Sequence, residues 1–263
     1  MHAADSMTIK CPPMPDETST RPEQADLFFE KQAAFWSDRY ASRSYQQRRE
    51  LVLNIIRREL GNESNSLSSF RALDFGCGAG VLVEDLSNMG ISVVGVDRSQ
   101  PMIEAAQSRL AQSPVARLER ICDHRPGEYR QRRYNLILCL SVLEFVRDPE
   151  ALLEHLASLL SVGGLLILTV PNQNSHLRRV ERLCFQHPKL TRWIPKLSYL
   201  AEPDCYLHHQ IQQFKAEALV ASARSLGFAI EDLRFHVAPK VFGAMERLES
   251  IGMMLMLALR KHS

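Results

Sequence analysis

The sequence predicts an α/β protein, built on a doubly wound, seven-stranded, mostly parallel sheet with helices on both faces. Three observations predict it. From Phe70 onward, short apolar runs alternate with stretches of helical period. Several of those runs, such as 91–96, 135–140 and 165–170, are almost continuously apolar, as strands buried on both faces must be. Between the first run and the first helical stretch lies a glycine-rich turn, Asp74-Phe75-Gly76-Cys77-Gly78-Ala79-Gly80. A strand, a glycine turn and a helix in succession let a ligand approach the backbone closely.

Each element follows from local signals. The first strand is expected over 71–75 and the first helix over 81–88, ended by Gly90. The second strand, 91–96, closes on Asp97, and a helix over 101–112 begins with Pro101 in its first turn. A third strand covers 116–122 and a fourth 135–140. A helix over 149–160 stops before Gly163-Gly164, and a fifth strand covers 165–170. After a helix over 215–226 and its stop at Gly227, a sixth strand runs over 228–237. The apolar run 253–259 is too short to span a bilayer and is expected as a final buried strand. Right-handed crossovers then give the doubly wound arrangement.

Two stretches fall outside this rhythm. Residues 1–24 combine four prolines with acidic and hydroxyl residues and are expected as a disordered tail. The domain then begins at 25, with a helical extension over 25–62 that carries Phe28, Phe29, Phe35, Trp36 and Tyr40. Residues 171–210 form an amphipathic insertion, in which Arg178, Arg179, Arg182, Lys189, Arg192 and Lys196 interleave with apolar residues.

Composition excludes several classes. The chain has 263 residues, 45% hydrophobic and 24% charged, enough for one sizeable core. With 32 basic and 30 acidic residues, the balance offers no general attraction to nucleic acid. None of the six cysteines forms a CxxC pair, so free thiols are expected and no metal cluster. No signal pattern or membrane-length apolar run is present, and the expectation is a soluble cytoplasmic protein.

The glycine turn discriminates between nucleotides. A dinucleotide fingerprint needs a third glycine, which would fall at Val81 or Val83 depending on the frame. An acid, Asp74, precedes the glycines instead, and no Gly-Lys-Ser/Thr follows. That arrangement disfavours a pyrophosphate and suits a ligand carrying an ammonium and a sulfonium. Asp97 lies near the spacing of an acid that binds ribose hydroxyls, and an acid after a strand also serves as a helix cap.

These stretches, with VVGVDRSQPMIEAA at 93–106, ICD at 121–123, YNLILCLSVLEFVRDPEALL at 134–153 and GGLLILTVPN at 163–172, resemble the class I S-adenosylmethionine-dependent methyltransferases. The small-molecule enzymes of the ubiquinone-biosynthesis type are the nearest in character. The resemblance implies a Rossmann-like methyltransferase fold with S-adenosyl-L-methionine as cofactor. It implies that Asp74, Phe75, Gly76, Cys77, Gly78 and Gly80 form the turn under the methionine portion. It further implies that Asp97 holds the ribose, Arg98 and Met102 flank the adenosine, and Asp123 and His124 face the adenine. Leu140, Ser141 and Val142 would line the sulfonium. Tyr40 and Arg49 match cofactor-covering helices, and a solvated basic helix face is the alternative. Many relatives have Glu-His where this chain has Glu144-Phe145.

Methyl transfer is an in-line displacement that depends chiefly on alignment. An oxygen acceptor also needs a proton acceptor, for which His176, His208 and His209 are the candidates. The acceptor is expected to be a small, partly apolar molecule, with oxygen favoured, bound beneath the insertion. The basic residues of the insertion also fit peripheral membrane contact. A non-catalytic cofactor-binding scaffold, a lipid- or RNA-directed methyltransferase and an NAD oxidoreductase are the competing readings.

Overall fold

A computed structural model describes residues 27–31, 40–60, 69–121, 127–187, 207, 209–236 and 250–262. The elements are α1 (Arg43–Leu60), β1 (Arg71–Phe75), α2 (Val81–Asn88), β2 (Ser92–Asp97), α3 (Gln100–Arg109), β3 (Ala116–Arg120), β4 (Tyr134–Leu140), α4 (Pro149–Leu159), β5 (Leu160–Pro171), α5 (His176–Gln186), α6 (Ala216–Ser225), β6 (Phe228–His236) and β7 (Met254–Lys261). The seven strands form one sheet in the order β3-β2-β1-β4-β5-β7-β6. The first five run parallel. β7 enters antiparallel between β5 and β6. The α/β expectation holds, and the run at 253–259 is indeed an interior strand.

Alternation within each strand sends side chains to two apolar layers. Leu73 and Phe75 of β1 join Ile137, Leu166, Leu168 and Leu257 on one face. Ala72 joins Val93, Leu136, Ile167 and Met256 on the other. Onto this second face α1 lays Val52, Leu53, Ile55 and Ile56, all buried. The described part of the helical extension therefore belongs to the core. Its apolar residues recur at helical spacing, and burying four such side chains contributes several kcal/mol.

Helix starts follow their capping chemistry. The Ser99 hydroxyl accepts from the Met102 amide at the start of α3, and Asp148 accepts from the Ala151 amide at the start of α4. Both helices carry proline in the first turn. β5 begins at Leu160, earlier than the glycine pair implied, because Tyr134 on β4 pairs with Leu160 across a bulge. Gly163, at φ 77°, turns within this extended stretch without ending it. The expected tail at 1–24, and most of the insertion from 188 onward, lie outside the described residues.

Candidate functional site

Parallel strands with a reversal of winding direction leave a crevice at their carboxyl ends. Here the reversal falls between β1 and β4, which are hydrogen-bonded neighbours. The glycine turn leaves β1 at that point. Gly76, Gly78 and Gly80 have φ of 81°, 52° and 78°. A side chain at Gly76 would fall on Val142 Cγ2, so this glycine answers to conformation and to close approach together. The Gly76 and Cys77 amides donate to the Val96 carbonyl at 2.8 and 3.0 Å, tying the turn to the end of β2.

Asp97 ends β2 and anchors two amides. Gly78 N donates to its Oδ2 and Ser99 N to its Oδ1, both at 2.9 Å. Its carboxylate therefore braces the glycine turn and the entry to α3. Asp74 is buried within the same crevice at 3% exposure. Burial, reinforced by the Asp97 charge, pushes its pKa up to about 7. Two acids thus share a pocket that bears surplus negative charge, which a cationic ligand relieves.

The far wall is the segment after β4. Among the described residues Ser141 is the one non-glycine with positive φ, at 56°. Its amide donates to Thr169 O at 3.0 Å and reaches Thr169 Oγ1 at 3.1 Å, bonds that hold the strained turn in place. From α1, Arg48 Nη1 donates to Ser141 Oγ at 3.0 Å, with the guanidinium 5.5 Å from the Tyr45 ring centre. Arg48 keeps some accessible surface, yet it lies deep enough that desolvation lowers its pKa. Arg48 therefore places a positive charge beside the turn of Ser141.

Tyr40 closes the near side. Its hydroxyl accepts from the Ala79 amide at 3.0 Å, and its ring lies 4.6 Å from that of Tyr45. Burial raises the pKa of both phenols. Glu144, directly behind Ser141, is buried at 4% exposure. Loss of solvent pushes its pKa up to about 7, against the pull of Arg48, Arg178 and the Ser141 hydroxyl. Phe29 stacks edge-on to Phe145 at 5.2 Å, and Phe28 lies 4.6 Å from His209. These rings make an apolar wall next to Glu144.

The structure brings Asp74, Gly76, Gly78, Gly80, Asp97, Leu140, Ser141, Val142 and Tyr40 to this crevice. The remaining candidates have these surroundings. Phe75 packs in the core, 6.2 Å from Tyr129. The Cys77 thiol is buried near Gly95, and burial raises its pKa. Met102 packs with Tyr40, Ala79 and Val81. Arg98 follows Asp97 at partial exposure, and its carbonyl accepts from Arg120 Nε at 3.1 Å. His176 is exposed at the start of α5, and His209 lies against Phe28. Asp123, His124 and His208 lie outside the described residues.

Arg49 turns away from the crevice and makes a two-pronged bond to Asp85, at 2.6 and 2.5 Å. Arg48, rather than Arg49, reaches the turn of Ser141. Tyr45, Arg48 and Val52 form one i, i+3, i+7 stripe on α1, a signal present in the sequence that separates the two arginines. Likewise, the insertion's arginines are not all solvated: Arg178 pairs with Glu181 at 2.5 Å, and both are buried. Among the described residues no group of three His, Cys, Asp or Glu is placed to hold a metal ion. Nor is any helix long and apolar enough to cross a membrane.

A glycine turn backed by two acids, on a sheet of this order with an antiparallel seventh strand, defines a class. Residues 37–233 match the family model described as "Methyltransferase domain", and the chain belongs to that family. Among curated proteins it is similar to the ubiquinone biosynthesis O-methyltransferase of Bradyrhizobium diazoefficiens, 33% identical over 132 residues, covering 50% of this chain and 51% of that protein. The enzyme of the same name from Xanthomonas euvesicatoria pv. vesicatoria is 27% identical over 188 residues, covering 69% and 72%. The chain thus spans about half the length of several curated relatives it matches. Among solved structures, magnesium protoporphyrin IX methyltransferase from Synechocystis PCC 6803 with bound SAH superposes at a TM-score of 0.63 with 17% identity, covering 92% of this chain and 100% of that one. The N-methyltransferase NodS from Bradyrhizobium japonicum gives 0.57 at 14% identity, covering 93% and 100%. Both share the fold.

Proposed function

We propose that this domain transfers a methyl group from S-adenosyl-L-methionine to a small, partly apolar acceptor, with oxygen favoured as the receiving atom. The observation that carries the reading is the pairing of the open glycine turn with the buried, unneutralised Asp74 and the Asp97 brace. A cationic amino-acid nucleoside fits that charge pattern. Asp74 meets the ammonium, directly or through water. Asp97, at the end of β2 beside the glycine turn, meets the ribose hydroxyls, and Arg48, beside Ser141, meets the methionine carboxylate. Bound there, the cofactor supplies a methyl carbon already activated by the sulfonium. The protein's own task is then alignment and exclusion of water.

The acceptor enters against the aromatic wall of Phe29 and Phe145. That wall supports an acceptor with apolar surface. The names of the curated relatives support an oxygen acceptor, and a cytoplasmic location accords with the three buried thiols Cys77, Cys139 and Cys184. Isothermal calorimetry tests the reading with S-adenosyl-L-homocysteine (SAH). Saturable binding to the wild type, severely weakened in Asp97→Ala, is expected. Absence of binding to the wild type sinks the proposal.

A further inference from the structure

Among the described residues Glu144 is a buried acid of the turn after β4, next to the Phe29–Phe145 ring pair. Its Oε2 is buried without a hydrogen-bond partner among the described residues. A carboxylate oxygen in that state is costly unless a ligand or a proton reaches it. The surrounding structure nonetheless holds the residue firmly. The Ile211 and Gln212 amides donate to the Glu144 carbonyl at 2.9 and 3.4 Å. The Gln212 side-chain amide donates to Leu143 O at 3.3 Å and Val146 O at 2.8 Å. The chain returning from the insertion thereby clamps the turn on both sides of Glu144 and fixes where its side chain starts. Such backing is what a preorganised functional group requires.

The groups facing Glu144 come from three elements. Arg48 reaches it from α1, Arg178 from α5, and the Ser141 hydroxyl from its own turn. The Cys139 thiol of β4 is also within electrostatic reach. Arg178 is already committed to Glu181 at 2.5 Å and to the Met253 carbonyl at 3.1 Å. Arg48 bonds to Ser141, so neither arginine holds Glu144 in a direct ion pair among these contacts. The next residue, Phe145, forms the apolar wall with Phe29. By contrast, His176 is exposed at the start of its helix and His209 lies against Phe28.

We infer that Glu144 is the proton acceptor for the hydroxyl group that receives the methyl, an assignment that rests on the methyltransferase reading above. The acceptor O–H bond breaks, the proton passes to Glu144 Oε2, and the O–H electron pair stays on oxygen. That oxygen forms the new bond to the methyl carbon, and the sulfur–carbon electron pair returns to sulfur. The proton leaves Glu144 to solvent once the product has gone. A carboxyl titrating near 7 is suited to this work at neutral pH.

The test uses SAH-loaded protein and 4-methylphenol, whose hydroxyl titrates at the tyrosine value of about 10, well above the assay range. Calorimetric titration from pH 6 to pH 8 is expected to show an affinity rise of roughly tenfold, as Glu144 ionises and accepts the phenol hydrogen bond. Glu144→Gln is expected to abolish that rise while SAH still binds. Glu144→Asp is expected to keep a rise with a displaced midpoint, and serves if the glutamine variant does not fold. If SAH binds but 4-methylphenol does not, or binds with no pH dependence, the assignment is overturned. It is equally overturned if Glu144→Gln retains the rise. Failure of SAH itself to bind the wild type instead removes the methyltransferase reading, a separable outcome.

Discussion

At the scale of single residues, the crevice depends on groups whose alternatives are poor. Gly76 combines φ of 81° with a Cβ position occupied by Val142. Gly76→Ala is expected to lower the melting temperature by several degrees and to weaken SAH binding at least tenfold. Adding Val142→Ala should relieve the clash but not the backbone strain, which costs about 1–3 kcal/mol. Thermal unfolding and calorimetry on the single and double variants separate the two. Asp97→Ala removes two amide acceptors together with the proposed ribose contact. Hydrogen bonds to a charged group contribute roughly 1.5–3 kcal/mol each, so a loss of about a hundredfold in SAH affinity is expected. An unchanged dissociation constant would take Asp97 out of the site. Both residues were legible in the sequence, because glycine at positive φ and an acid after a strand leave strong local signatures. Glu144 stood out in the sequence only as the acid before Phe145; that Gln212, distant in sequence, clamps its turn is visible only in the structure.

At the scale of elements, α1 shows what periodicity can and cannot resolve. Leu51, Val52, Ile55 and Ile56 stand at helical spacing in the sequence; the structure buries the last three and Leu53, and leaves Leu51 half-buried. Adjacent arginines 48 and 49 differ by one helical step, and only the positions of Asp85 and Ser141 decide their fates. The structure gives them separate roles. Arg49→Ala is expected to cost about 0.5–1 kcal/mol of stability, since its bond to Asp85 is partly exposed, and to leave SAH affinity unchanged. Arg48→Ala is expected to weaken SAH binding at least tenfold, with Arg48→Lys recovering only part, because a point charge cannot both hold Ser141 and fork a carboxylate. Denaturant titration paired with calorimetry checks both. If Arg49→Ala lost ligand affinity and Arg48→Ala did not, the assignment of the two would be reversed. The burial of Arg178 and Glu181 in α5 was hidden for a similar reason: an i, i+3 ion pair reads as solvated unless the face it occupies is known.

At the scale of the whole molecule, stability carries opposing dependences on pH. His155 of α4 is buried at 2% exposure, and burial, with Arg130 nearby, lowers its pKa to about 4. Between pH 6.5 and 4 the unfolded chain binds a proton that the folded chain refuses, so this term removes stability as pH falls. Asp74 and Glu144 act in the opposite sense. Their folded pKa values of about 7 lie above the unfolded ones, so their contribution is lost as pH rises from about 4.5 to 7. His155→Leu is therefore expected to gain in relative stability on acidification, by an amount of order 3 kcal/mol at pH 4 compared with pH 7. Urea midpoints at the two pH values report it, and parallel profiles for wild type and variant would rule His155 out as the cause. The sheet itself was the most legible feature at this scale, because apolar runs alternating with stretches of helical period leave few topologies. The antiparallel entry of β7 was not readable, since an apolar run carries no mark of its direction.

That entry has a consequence for the order in which the molecule can be assembled. β7 is the last strand in sequence, yet it supplies the pairing for Leu165–Pro171 on one side and Phe228–His236 on the other. Until Met254–Lys261 have been synthesised, β5 presents a bare apolar edge and β6 lacks its pairing strand, the geometry that recruits foreign strands. Chains halted just short of Met254 should accumulate as aggregates during expression. Supplying the missing strand as a separate peptide during refolding should rescue part of them.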